Sequence, residues 1–315
     1  MKESIFKAYD IRGTYPNEIN EQGAYIIGKS YGTYLQKFYD KNKCVIGRDN
    51  RLSSPALYEA LKNGLIDSGI NVICYGEITT PMHYYTRYVE NTFGVMVTAS
   101  HNPKEDNGFK FSFDKYANAR GDMIDDFKDF TFKGDFYKGK GIAVNKDIKK
   151  DYLSYLKDNI NMGKKKIKAV FDMGNGVTAT IIKDVIKEFP NIEPIYICDE
   201  SDGSFPNHHP DPAVEENMAM LKEKVLETNA DIGIAFDGDG DRLGIIDEHG
   251  KFIMADKYLI VAMKSMIKEV SNKTFLCDVK CSKSLIDEIE KDGGHVFMSR
   301  TGTSFTEANT KINNI

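Results

Sequence analysis

Three aspartates separated by single glycines, Asp237-Gly-Asp-Gly-Asp-Arg242, follow directly on an apolar run. Such spacing brings three carboxylates to one point only where the backbone curls, and glycine permits the curl. Two carboxylates about 4 Å apart repel by roughly 4 kcal/mol at an effective dielectric near 20, and three make three such pairs. Asp237, Asp239 and Asp241 therefore ask for a cation rather than forming a solvated acidic turn. All-oxygen ligands select a hard ion, magnesium or calcium, over zinc. A calcium EF-hand is the nearest decoy, because Asp239, Asp241 and Glu248 fall at the third, fifth and twelfth places counted from Asp237. Its sixth place, which requires glycine, is Arg242, and the flanks are strand-like rather than helical. Three carboxylates leave coordination room for a phosphate oxygen, which suits magnesium in phosphoryl transfer.

A second polar loop, Thr98-Ala-Ser-His-Asn-Pro103, breaks out of the apolar run 95–97 and presents Ser100 and His101. A serine at the carboxyl end of a buried parallel strand sits where open α/β sheets place their ligands. Ordinary turns favour the same residues, so the loop gains weight only from its surroundings. His101 has two equal readings, a base or a structural and phosphate-contacting group.

Strand-like and helical runs alternate almost throughout, the mark of α/β architecture with mixed, mostly parallel sheets. Strands are expected at 43–46, 71–75, 95–97, 167–172, 193–198, 231–236 and 274–278. Helices are expected at 22–39, from Ser53-Ser54-Pro55, from Thr80-Pro81, and at 146–159, 177–188, 213–228 and 256–267. The run 109–113 suits an edge or antiparallel strand, and 243–247 with 251–253 suits a hairpin. The stretch 114–141 has weak periodicity and reads as the way out of a first domain. Val45-Ile-Gly-Arg-Asp49, Ala169-Val-Phe-Asp172 and Phe275-Leu-Cys-Asp278 repeat one theme, a short strand ending in aspartate. Phe93-Gly-Val-Met-Val-Thr98 aligns likewise with Ile232-Gly-Ile-Ala-Phe-Asp237. The serine and aspartate loops thus fall at equivalent strand ends of sister domains facing one cleft. The run 296–298 into Ser299-Arg-Thr-Gly-Thr303 would be a third equivalent.

With 315 residues the chain exceeds one ordinary core and implies two or three domains. A net charge of −5 without a dense basic stripe argues against nucleic-acid binding. No apolar run approaches a membrane span, and the amino terminus lacks a signal-peptide core. The cysteine count, five, is odd: Cys44, Cys74 and Cys198 read as reduced core thiols, and Cys277 with Cys281 lacks the second pair a zinc site needs. A reducing, cytoplasmic location is expected.

The motifs together resemble the α-D-phosphohexomutase family, in particular its phosphomannomutase/phosphoglucomutase branch. The serine loop is similar to that family's phosphoserine loop, and Asp237-Gly-Asp-Gly-Asp-Arg242 to its metal loop. Lys7-Ala-Tyr-Asp-Ile-Arg-Gly13, Asn107-Gly-Phe-Lys110 and Phe205-Pro-Asn-His-His-Pro-Asp-Pro212 match further family segments. The likeness runs from about residue 5 to about residue 302. It implies reversible phosphate transfer between O1 and O6 of a hexose, with mannose or glucose phosphates as partners. Phosphorylated Ser100 would donate to the sugar, giving a hexose 1,6-bisphosphate that reorients and returns its other phosphate. Magnesium would be held by Asp237, Asp239, Asp241 and Ser100. The resemblance assigns Arg12 and Lys110 to proton transfer or phosphate stabilisation, and Tyr9, Arg12, Arg242 and Lys280 to substrate contact.

Elementary chemistry agrees with that assignment. A neutral serine hydroxyl is a poor nucleophile without a base, whereas a phosphoserine beside a divalent ion is already a donor. Phosphoryl transfer needs positioning and charge neutralisation, and Arg12, Lys110 and Arg242 bring positive charge.

Relatives carry four domains. The expected division is 1–142 with the phosphoserine loop, 143–247 with the metal loop and an incomplete third domain at 248–315, with the fourth absent. The sugar-selecting Gly-Glu-x-Ser-Gly-His loop does not occur, and Thr303 stands where relatives carry a catalytic histidine. Threonine does not titrate near neutral pH, so a proton-transfer role there is lost. Weakened substrate binding is the expected consequence of the missing contacts. A phosphoglucosamine mutase and an inactive metal- or partner-binding relative are the alternative readings.

Overall fold

In the computed structural model, which describes residues 1–114, 117–301 and 310, the apolar runs assemble into three sheets. The first contains β1 (Ile11–Thr14), β2 (Lys43–Arg48), β3 (Asn71–Glu77), β4 (Phe93–Val97), β5 (Asp106–Phe111) and β6 (Ala143–Asn145) in the order β1-β5-β4-β2-β3-β6. The run β4-β2-β3-β6 is parallel, while β5 pairs antiparallel with both β4 and β1. The run expected as an edge or antiparallel strand is therefore antiparallel and interior. Phe109 and Phe111 share one face of the sheet and are both buried, in one core cluster with Tyr31.

Helices α1 (Glu21–Tyr39), α2 (Ser54–Asp67) and α3 (Thr80–Glu90) connect these strands. Ser53 and Thr79 precede α2 and α3, and proline stands in the first turn of each, where its missing N–H costs nothing. Thr79 Oγ1 accepts from Met82 N, whereas Ser53 makes no such cap. The stretch 114–141 holds a helix that periodicity did not reveal, α4 (Asp122–Lys133). It buries Ile124, Phe127 and Phe130 beside Tyr31 and Tyr34 of α1. Its other positions carry four aspartates and two lysines, so the helix is amphipathic, but its period is confined to a short part of the stretch.

After α5 (Lys149–Asn159), the second sheet repeats the first in smaller form. Its strands β7 (Ile167–Asp172), β8 (Ile192–Ile197), β9 (Ile232–Phe236), β10 (Leu243–Asp247) and β11 (Phe252–Ile253) lie in the order β11-β10-β9-β7-β8. Here too the central strands are parallel, and the strand after the third parallel one turns back antiparallel. Each polar loop thus links the third parallel strand to its antiparallel neighbour, β4 to β5 and β9 to β10. The internal alignment of 93–98 with 232–237 has a topological basis.

The helix expected over 177–188 splits into a 3-10 turn, Val177–Thr180, and α6 (Ile182–Lys187). The first turn is diverted because Val177 N donates to Gly238 O of the aspartate loop at 3.1 Å. The helix expected over 213–228 likewise begins as a 3-10 turn, Glu215–Met218, before α7 (Ala219–Thr228). Beyond α8 (Ala255–Met266), β12 (Thr274–Asp278), α9 (Lys283–Lys291) and β13 (His295–Ser299) form a parallel two-stranded unit. In chain order β13 follows β12 by one crossover, the place of β3 and β8 rather than of β4 and β9. Thr303 lies outside the described residues. No helix among the described residues is long and apolar enough to cross a membrane.

Candidate active site

The serine loop owes its shape to its own residues. Thr98 Oγ1 accepts from Ser100 N at 2.8 Å, and Asn102 N donates to Ala99 O at 3.0 Å. Ser100 is held with φ at +52°, the left-handed region that a non-glycine residue rarely occupies. Backbone strain of this kind, in a buried serine, collects at functional sites.

One buried side chain fixes the loop from behind. Arg51 donates to the carbonyls of Ser100 (2.8 Å), Asn102 (2.7 Å), Pro103 (2.6 Å) and Asp106 (3.0 Å). Its Nε lies 3.2 Å from Asp49, and its guanidinium stacks over the Phe205 ring at 5.4 Å. Sequence reading missed Arg51, since an arginine just past a strand usually faces solvent. Its one signal is Asp49, the strand-ending aspartate of the internal repeat.

The aspartate loop reaches across to this scaffold. Oxygens of Asp237, Asp239 and Asp241 lie within 4.8 Å of one another. Asp237 Oδ1 accepts from the Asp241 and Arg242 amides, each at 3.0 Å, and its Oδ2 accepts the Ser100 hydroxyl at 2.6 Å. Asp239 Oδ2 accepts from Thr80 Oγ1 at 2.7 Å and Thr98 Oγ1 at 3.2 Å, and Thr80 N donates to Asp239 O. Gly240, at φ +74°, turns the chain between the second and third carboxylates. A Cβ on Gly238 would stand 2.6 Å from Ser100 O, so only glycine lets the two loops touch.

Lys110 Nζ bridges Asp239 and Asp241 at 2.7 Å each. Burial works against its charge, but the two carboxylates outweigh that and hold the ammonium well above the ordinary lysine value. Burial likewise opposes charge on Asp239, yet Lys110 keeps it ionised, below the usual carboxylate range. Burial and the neighbouring carboxylates push Asp237 well up, and Asp241 rises for the same reasons. Asp239 Oδ1 is buried and, among the described residues, has no hydrogen-bond partner. Two carboxylates pushed toward protonation beside a third with an orphaned oxygen describe a site short of positive charge. Hard oxygen donors fit a magnesium-class ion there.

His101 Nδ1 lies 3.2 Å from Ser100 Oγ, and Arg242 donates to His101 Nε2 at 3.3 Å. Arginine has no acceptor, so Nε2 accepts and the proton of the neutral ring sits on Nδ1, facing Ser100. Burial and Arg242 bring His101 down to about 4, which leaves it neutral at physiological pH. In this arrangement His101 donates toward the serine oxygen and does not act as its base.

A cavity of about 390 Å³ opens above Ser100, lined among others by Tyr9, Arg12, Tyr84, Lys110, Asn118 and Arg242. Arg12 is oriented by Asn102 Oδ1 at 2.6 Å and Asp10 Oδ2 at 2.5 Å. Tyr84 accepts from Asn118 Nδ2 at 2.9 Å, and neither residue stood out in the sequence. The structure thus brings together Tyr9, Arg12, Ser100, His101, Lys110, Asp237, Asp239, Asp241 and Arg242. Lys280 is not among them: it is exposed on the turn after β12 and, among the described residues, makes no side-chain bond to the cluster.

The family model for phosphoglucomutase/phosphomannomutase α/β/α domain I matches residues 3–138, and that for domain II matches residues 150–250. The phosphomannomutase/phosphoglucomutase of Pseudomonas aeruginosa is 39% identical over 314 residues, 99% of this chain and 66% of that protein. A Vibrio cholerae phosphomannomutase is 38% identical, covering 97% of this chain and 68% of its own length. The crystal structure of a family protein from Burkholderia thailandensis superposes with a TM-score of 0.93 at 32% identity, over 100% of this chain and 70% of that one. The chain spans about two thirds of the length of these relatives. On this likeness the chain belongs to the phosphoglucomutase/phosphomannomutase family.

Proposed function

We propose that the chain carries out phosphohexomutase chemistry, moving phosphate between O1 and O6 of a mannose or glucose phosphate through phosphorylated Ser100. The observation that carries this reading is the 2.6 Å bond between Ser100 Oγ and Asp237 at the floor of a basic cavity. In the transfer the Ser100 Oγ–P bond breaks, a sugar O–P bond forms, and the sugar hydroxyl proton ends on Ser100 Oγ. The resulting hexose 1,6-bisphosphate reverses the step with its other phosphate.

Asp237, Asp239, Asp241 and a phosphate oxygen on Ser100 would hold magnesium, which when bound offsets the phosphoryl charge. His101 Nδ1–H and Arg242 would donate to the phosphate on Ser100. Arg12 and Tyr9 face the cavity where a sugar phosphate would sit. Lys110, already cationic, stabilises phosphate charge rather than accepting a proton while it is paired with Asp239 and Asp241. Lys280 would contact substrate only if its turn came over the cavity. A division near 142 and 247, taken just past β6 and β11 so that each sheet stays whole, assigns one loop to each of the first two domains.

Intact-mass analysis of the protein after incubation with glucose 1,6-bisphosphate tests the serine directly. One phosphate on the Ser100 peptide is expected, with none in Ser100→Ala. A coupled assay on mannose 1-phosphate and glucose 1-phosphate, primed with the bisphosphate, reads turnover. Full activity in Ser100→Ala would overturn the mechanism.

A further inference from the structure

A second convergence of ligating atoms shares no residue with the aspartate loop. A carboxylate oxygen of Asp172, the sulfur of Cys198 and a ring nitrogen of His208 all lie within 4.8 Å of one another. Asp172 ends β7, Cys198 follows the last residue of β8, and His208 comes from the proline-rich loop after it. We propose that these three side chains form a second metal site, for a zinc-class cation, distinct in residues and ligand type from the aspartate loop.

The donor set makes the case. One sulfur, one imidazole and one carboxylate suit zinc or a similar borderline-soft ion and suit magnesium poorly. His208 Nδ1 donates to His209 O at 3.0 Å, the backbone anchor that commonly orients a metal-bound imidazole. That leaves Nε2, 3.0 Å from Asp172, as the coordinating nitrogen. A nucleophile–base–orienter relay would need the two ring nitrogens to face a thiol and a carboxylate separately, and a backbone carbonyl takes one of them here. Asp172 is fully buried, and its Oδ1 is steadied by Gly174 N at 2.8 Å. Three protein ligands leave a fourth position for water or an exchangeable group. An imidazole and a thiol coordinate only in their deprotonated forms, so metal binding here releases protons and tightens as pH rises.

Cobalt(II) added to the full chain, with excess magnesium to fill the aspartate loop, is the probe. A thiolate-to-cobalt charge-transfer band that saturates at one equivalent and is displaced by zinc is expected. Cys198→Ser should abolish it, and Cys281→Ser should keep it. His208→Gln, which retains the thiol, should weaken cobalt binding at least tenfold. Absence of the band in the parent protein, or its survival in Cys198→Ser, would overturn the site. Neither result bears on phosphate transfer at Ser100.

Discussion

Arg51, with no exposed side-chain surface, donates to the carbonyl of Ser100 at 2.8 Å. The residue proposed to carry phosphate is thus held by its backbone from below, leaving its hydroxyl free to face Asp237. Arg51→Met should destabilise the protein by about 3–5 kcal/mol, because it leaves Asp49 buried and unpaired. Adding Asp49→Asn should recover part of that loss, since it removes the orphaned charge. Urea denaturation of the four proteins closes the cycle. Equal stability of Arg51→Met and the parent would mean the carbonyl clamp contributes nothing.

The orphaned oxygen of Asp239 leads to a metal-dependent stability. Magnesium at about one hundred times its dissociation constant should stabilise the folded chain by about 2.7 kcal/mol. Differential scanning calorimetry with and without chelator should show a matching fall in Tm. Asp239→Asn should abolish the magnesium response. A response of equal size in that variant would place the ion elsewhere.

Lys110 competes with any cation for the same carboxylates. Lys110→Met should therefore tighten magnesium binding about tenfold, or about 1.4 kcal/mol, while slowing phosphate loading of Ser100. Isothermal titration reads the first effect and timed intact-mass analysis the second. Weaker magnesium binding in Lys110→Met would show that the lysine organises the carboxylates rather than competing for them.

The parts of this site that depend on local chain chemistry are legible in the sequence. Asp237, Asp239 and Asp241 declare themselves through glycine spacing, and Ser100 through an apolar strand broken by a polar turn. Their juxtaposition followed from an internal repeat that sheet order bears out. Arg51 was invisible because its burial depends on Phe205, far along the chain, closing over its guanidinium. Helix α4 escaped notice because the helical spacing of Ile124, Phe127 and Phe130 occupies a short segment of a longer charged stretch without that period. The interior position of β5 depends on β1, whose four residues, Ile-Arg-Gly-Thr, alternate in burial but offer a single large apolar side chain, too little to signal a strand.

Thiol reactivity gives a pH-resolved check on burial. Burial first, then the neighbouring Cys281, pushes the Cys277 thiol up to about 11. Cys44 and Cys74 are raised chiefly by burial as well. The thiolate is the reactive form, so a raised pKa means less of it: at pH 8 about one Cys277 in a thousand is ionised. Cys198 and Cys281 are only partly buried. Native protein at pH 8 should thus show two fast thiols toward an aromatic disulfide reagent, and five after unfolding. Labelling of Cys277, followed by peptide mass, should accelerate about tenfold per pH unit up to about 11. Zinc should cut the fast thiols from two to one by withdrawing Cys198. Fast labelling of Cys277 at pH 8 would mean that β12 and α9 do not enclose it.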